Sequence, residues 1–212
     1  LGRTRWFPLA RRIMFGLYWL LGGYRVEGQE NVPRRGPLLI ACNHVSLADP
    51  FAVLAACPRD TWSLAARELY EAPWLGPLIR FLGAIPVRRG EMDIEGLARV
   101  RRLLRQGEAV IVYPEGRLSK DGRLLPLFPG VAVLALREGC PVVPAVLWGT
   151  QGMLPYGSRW LRPHFKRIRF GPPLRFPPLR RGIPVRQQVD EALVRLRQAL
   201  LELGAPPGEG DG

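Results

Sequence analysis

Short runs of apolar residues recur along this chain, each closed by glycine, proline or a polar turn, with helical stretches between them. Residues 37–42, 61–65, 109–112 and 141–148 carry no charged side chain. A strand made from such a run belongs where both faces are covered. Residues 51–56, 73–82, 93–106 and 131–138 read as helices, and in the third Ile94, Leu97, Val100 and Leu104 form one stripe with arginines between. Strands alternating with helices predict an α/β fold, a single domain whose largely parallel sheet is flanked by helices. Further on, an arginine- and proline-rich stretch holds an edge strand at 167–170, and a last helix spans 184–203 with Gly204 ending it.

The beginning of the chain is different in character. Arg3, Arg5, Arg11 and Arg12 precede an uncharged run over 13–24. As a helix that run extends about 18 Å at about 1.5 Å per residue, short of a hydrocarbon core of roughly 30 Å. Gly22-Gly23-Tyr24-Arg25 makes a poor signal-peptide cleavage site. The run therefore predicts an N-terminal interfacial membrane helix, with Trp6, Tyr18, Trp19 and Tyr24 at headgroup depth. A helix packed on its own domain is the competing reading. The expected organisation is a membrane-interface helix over 1–24, the main domain over 25–204 and a disordered tail over 205–212.

Charge narrows the partners. The formal net charge of +13 comes almost wholly from arginine, since Lys120 and Lys166 are the only lysines. Such an excess calls for an anionic partner: lipid, phosphorylated substrate or nucleic acid. Cys42, Cys57 and Cys140 sit in apolar surroundings without metal-ligand spacing, which suggests neither disulfides nor zinc and points to a reducing, cytoplasmic setting.

One of only two histidines, His44, follows the apolar run in the turn Ala41-Cys42-Asn43-His44-Val45-Ser46-Leu47-Ala48-Asp49-Pro50. An imidazole takes a proton from a hydroxyl near neutral pH when a carboxylate orients its other nitrogen, and Asp49 offers that carboxylate. Residues five apart on a helix point about 140° apart, so contact requires His44 to precede the helix and fold back over it. Asp49-Pro50 also reads as a helix cap followed by proline at the first helical position, and Ser46 with Asp49 as a capping box. Two more features close predicted strands: Arg88-Arg89 and Glu115-Gly116-Arg117. Ligands of open α/β sheets bind at that edge, and a base, cations and an acid suit a substrate with both a hydroxyl and a phosphate. Cys42 reads as core, Ser46 lacks a Gly-x-Ser-x-Gly elbow, and His164 lies in a basic loop without an acid partner. Arginines interleaved with Trp160, Phe165, Phe170 and Phe176 keep a basic nucleic-acid-binding module as a remote alternative.

Asn43-His44-x4-Asp49 is similar to the first motif of the glycerolipid acyltransferases, specifically the bacterial 1-acyl-glycerol-3-phosphate acyltransferases. Gly83-Ala84-Ile85-Pro86-Val87-Arg88-Arg89 resembles their second motif, whose final arginine falls on Arg89. Tyr113-Pro114-Glu115-Gly116 resembles their third, usually Phe-Pro-Glu-Gly, and Val143-Pro144-Ala145-Val146 their fourth. The third motif departs from the family pattern beyond Gly116, because Arg117 stands one place early and Leu127-Phe128-Pro129-Gly130 replaces an expected downstream lysine. The resemblance implies acyl transfer from acyl-CoA or acyl carrier protein to the free hydroxyl of lysophosphatidic acid, with another lysolipid or lipid alcohol as the alternative acceptor. His44 and Asp49 would be catalytic; Arg89, Glu115, Gly116 and Arg117 would bind substrate. It implies no metal, no cofactor beyond the thioester co-substrate, no nucleic-acid partner, and a peripheral place on the cytoplasmic face of the inner membrane with its anionic surface.

Overall fold

The computed structural model describes residues 7–73, 75–88, 93–158 and 160–208. Helix α1 (Phe7–Leu20) leads to β1 (Tyr24–Glu27), β2 (Leu38–Cys42), α2 (Asp49–Ala56), β3 (Trp62–Ala66), α3 (Leu75–Phe81) and β4 (Ala84–Val87). Then come α4 (Ile94–Arg105), β5 (Ala109–Val112), α5 (Gly130–Glu138), β6 (Val142–Trp148), the single turn α6 (Thr150–Met153), β7 (Lys166–Phe170) and α7 (Val185–Glu202). The strands form one sheet in the order β1-β7-β6-β2-β5-β3-β4. From β6 to β4 all are parallel, whereas β7 runs antiparallel to β6 and pairs in parallel with β1.

The chain leaves β2 towards β3 and β4, then returns to β5 and crosses to β6 on the other side of β2. This reversal opens a crevice beyond the carboxyl ends of β2, β5 and β6. Burial on both faces explains why these strands show no polar alternation. Leu38, Ile40 and Cys42 pack with α1 and α2, while Leu39 and Ala41 pack with α4, α5 and α7. β5 divides in the same way, Ala109 and Ile111 against Val110 and Val112.

Four expectations are corrected. Helix α1 ends at Leu20 because Gly22 and Gly23 adopt φ of 105° and 91° and bring the chain hard against the backbone of His164; only glycine accepts that turn at low cost. Tyr24 therefore opens a strand, a four-residue segment too short to register as a strand in sequence. Tyr18 and Tyr24 are not at headgroup depth: both rings are buried, and their hydroxyls donate to the Ala48 and Ala52 carbonyls at 2.7 and 2.8 Å. β7 is interior, between β1 and β6. Finally, Ala205 is buried and the Pro206 carbonyl accepts from Leu124 N–H at 2.8 Å, so the expected disordered tail is packed where it starts. Trp6 and residues 209–212 lie outside the described residues.

Candidate active site

β2 delivers His44 into a non-helical turn, and α2 begins at Asp49. That turn folds back, so His44 Nδ1 lies 2.9 Å from Asp49 Oδ2 despite the five-residue spacing. The same oxygen accepts the backbone N–H groups of Val45 at 2.7 Å and Ser46 at 2.8 Å. Asp49 is the first residue of α2, whose N-cap residue Ala48 carries no side-chain cap, so the helix-cap reading gives way to a carboxylate that reaches back to Ser46 and His44. Asp49 is fully buried, and its Oδ1 accepts from the Thr150 hydroxyl at 2.5 Å. Four donors satisfy buried oxygens that would otherwise be left unpaired away from water. A neutral ring that donates Nδ1–H to Asp49 presents Nε2 as an acceptor. The His44 side chain keeps 15% of its surface exposed, and the Tyr113 ring stacks on it at 4.1 Å between centroids, fixing its plane.

Glu115 lies in the turn after β5 and is only 1% exposed. Its Oε1 accepts the His44 backbone N–H at 2.7 Å and its Oε2 accepts Leu125 N–H at 2.9 Å. Each oxygen accepts one backbone N–H, so Glu115 holds the main chain of His44 against the segment at Leu125. Burial pushes its carboxyl above the usual range. Gly116 is exposed at φ 64°, and a Cβ there would press on the Phe128 ring at 2.9 Å. Arg117 follows on the same turn, exposed and without a hydrogen bond or ion pair among the described residues; that turn is tied to the base where Ser119 N–H donates to the His44 carbonyl at 2.7 Å. Arg89 lies outside the described residues. Arg88 is exposed, and its backbone N–H donates to Asp93 at 2.8 Å.

Three contributors escaped the sequence reading. Thr150 is one, and the signal for it was Gly149-Thr150 directly after a buried strand, on the ligand-binding edge. Asn43 is another: its amide donates to the Leu147 carbonyl at 3.1 Å and accepts Leu147 N–H at 2.8 Å, bridging the ends of β2 and β6 by a side chain. Tyr113, beneath the imidazole, is the third. Neither rival nucleophile is free. Ser46 Oγ donates to the Leu154 carbonyl at 2.9 Å, and Cys42 is fully buried, which pushes its thiol well above the ordinary range. Among the described residues no three His, Cys, Asp or Glu side chains gather as a metal site. Of the aromatics that suggested a nucleic-acid surface, Phe170 is buried and Phe176 packs against the core.

A family model described as Acyltransferase matches residues 23–148, a span that holds His44, Asp49 and Glu115. The chain is 32% identical over 177 residues to a 1-acyl-sn-glycerol-3-phosphate acyltransferase of Limnanthes douglasii, across 81% of this chain and 62% of that protein. It is 31% identical over 142 residues to a chloroplastic protein of that name from Brassica napus, across 66% of this chain and 41% of that protein. A Bacillus subtilis protein of the same name is 31% identical over 132 residues, 61% of this chain and 65% of its own. The chain spans about half the length of the plant relatives it matches. In fold it is similar to the crystal structure of the 1-acyl-sn-glycerophosphate acyltransferase PlsC from Thermotoga maritima, with a TM-score of 0.75 at 24% identity, covering 99% of this chain and 86% of that one.

Proposed function

The chain belongs to the acyltransferase family, and from that premise we propose that it transfers a fatty acyl group from acyl-CoA or acyl carrier protein to the free hydroxyl of lysophosphatidic acid, producing phosphatidic acid. The observation that carries this reading is the pairing of His44 Nδ1 with the buried Asp49 carboxylate at the carboxyl end of β2. Nε2 accepts the hydroxyl proton as the oxygen attacks the thioester carbonyl. The tetrahedral intermediate then expels the thiolate, which recovers the proton from the imidazolium. Asp49 holds the tautomer and stabilises that imidazolium. General-base catalysis of this kind contributes about 10²–10⁴-fold. Arg117, exposed on the turn after β5, holds the acceptor phosphate together with Arg89 in this proposal, since guanidinium geometry matches phosphate oxygens.

The same proposal places the protein peripherally on an anionic membrane, at the cytoplasmic face of the inner membrane. Phe7, Met14 and Tyr18 of α1 pack on the domain, while Leu9, Ile13, Leu17 and Leu20 lie exposed on its other side, Leu20 to 75%. A helix that is apolar on both sides needs a second apolar medium. Among the described residues no helix is long and apolar enough to cross a membrane.

The test is acyl transfer from a long-chain acyl-CoA to acceptors with and without phosphate, comparing the native chain with His44→Ala. Turnover that requires both the phosphate and His44 is the expected result. Turnover that needs His44 but ignores phosphate replaces lysophosphatidic acid with another lipid alcohol, and turnover that survives His44→Ala removes the mechanism.

A further inference from the structure

The loop between α6 and β7 is held firmly and still points apolar side chains into solvent. Its backbone is pinned where Arg162 N–H donates to the Met153 carbonyl at 2.8 Å and His164 N–H to the Leu21 carbonyl at 2.9 Å. Between and beside those anchors Tyr156, Trp160, Leu161 and Phe165 are all exposed, Trp160 to 80%. A loop tied at both ends gains nothing in water from such residues, because apolar surface is stabilised only when it leaves water.

Position and charge identify what covers it. The loop meets α1 at the end of the helix that carries Trp19 and Leu20: Leu21 accepts from His164, and the Phe165 ring lies where a Cβ on Gly23 would be 3.2 Å away. The end of the exposed α1 stripe therefore meets the loop at Phe165. Both come from acid-free sequence, since no Asp or Glu precedes Glu27 and none lies between Glu138 and Asp190. Lys120, on the turn that holds Arg117, places its ammonium 5.0 Å from the Tyr156 ring centroid. Aromatic and aliphatic side chains beside a lysine, in sequence free of acids, match an anionic bilayer, where rings settle at headgroup depth.

We propose that the loop after α6, through its described residues 155–158 and 160–165, is a second membrane-contact element, which with α1 forms one surface that sets the mouth of the His44 site on an anionic bilayer. The inference rests on the peripheral reading of α1 above and adds a contact that α1 alone does not provide. It has a structural route to the site: α6, which the loop follows, carries Thr150, and the Leu154 carbonyl accepts from Ser46 in the catalytic turn.

The experiment uses the full chain and sedimentation with phosphatidylcholine vesicles, with and without phosphatidylglycerol. It compares the native protein, a Trp160→Ser, Leu161→Ser, Phe165→Ser variant, and a Trp19→Ser, Leu20→Ser variant of α1. Because burying each large apolar side chain contributes substantially, the loop variant lowers partitioning onto anionic vesicles by about tenfold or more. Its turnover of a short-chain, monomerically dispersed acceptor stays at the native value. Unchanged partitioning of the loop variant, with a loss in the α1 variant, overturns this inference and keeps the peripheral reading of α1. No loss in either variant overturns both. A loop variant that loses binding to random-sequence duplex DNA but not to vesicles assigns the surface to nucleic acid and also overturns it. The vesicle and DNA outcomes do not depend on the acyl-transfer assay of His44.

Discussion

The hydroxyl of Thr150 donates to Oδ1 of Asp49 across 101 residues of sequence. It ties the segment after β6 to the carboxylate that pairs with His44. The other oxygen of Asp49 is filled by His44, Val45 and Ser46, so Thr150 is the only contributor from outside the turn among the described residues.

Thr150→Val keeps the shape and removes that donor. Hydrogen bonds to charged groups are worth about 1.5–3 kcal/mol. The variant is expected to lose about tenfold or more in kcat with little change in KM, and Thr150→Ser to recover most of it. Steady-state kinetics with lysophosphatidic acid as the varied substrate reads both parameters.

Glu115→Ala removes the acceptor for His44 N–H and Leu125 N–H. Two part-buried donors lose their partner, and His44 loses its backbone support. The expected result is a fall in kcat of about tenfold or more with KM nearly constant, from a loss of about 1–3 kcal/mol per unpaired group. A rise in KM alone would assign Glu115 to the substrate.

Two tyrosines with buried hydroxyls give opposite outcomes when changed to phenylalanine. Tyr18 donates to the Ala48 carbonyl at 2.7 Å, so Tyr18→Phe is expected to destabilise by about 1–2 kcal/mol. The Tyr113 hydroxyl is buried without a hydrogen-bond partner among the described residues, while its ring supplies the stack on His44. Tyr113→Phe is therefore expected to keep activity and to hold or raise stability. Urea unfolding with turnover measured on the same samples distinguishes the two.

Glu27 joins β1 to β7. Hydrogen bonds from Arg167 at 2.6 Å and Arg169 at 2.8 Å hold its carboxyl down at about 2. A depressed folded value contributes stability above the unfolded value of 4.5, which is lost as pH falls towards 2. Glu27→Gln is thus expected to be less stable than the native chain at neutral pH, by on the order of 1 kcal/mol after solvent screening. That gap should narrow as urea unfolding is repeated from pH 7 downwards.

Local pattern carried much of this protein. The uncharged runs around Ile40, Ile111 and Val143 are strands because a segment without polar alternation fits only between two covering layers. The alternation of elements announced the parallel sheet, and the turn from Asn43 to Asp49 announced the base. Those properties depend on residues close in sequence, so they can be read along the chain. The partners of those residues were not legible. That Glu115 accepts N–H groups of His44 and Leu125 is invisible until the fold brings them together, and Tyr24 reads as an interfacial aromatic until two glycines turn it into a strand. Thr150 gains its role only when β6 lies beside β2. Whether a polar side chain faces water, substrate or a buried donor is decided by what packs against it from distant sequence, because desolvation makes the outcome depend on every neighbour at once.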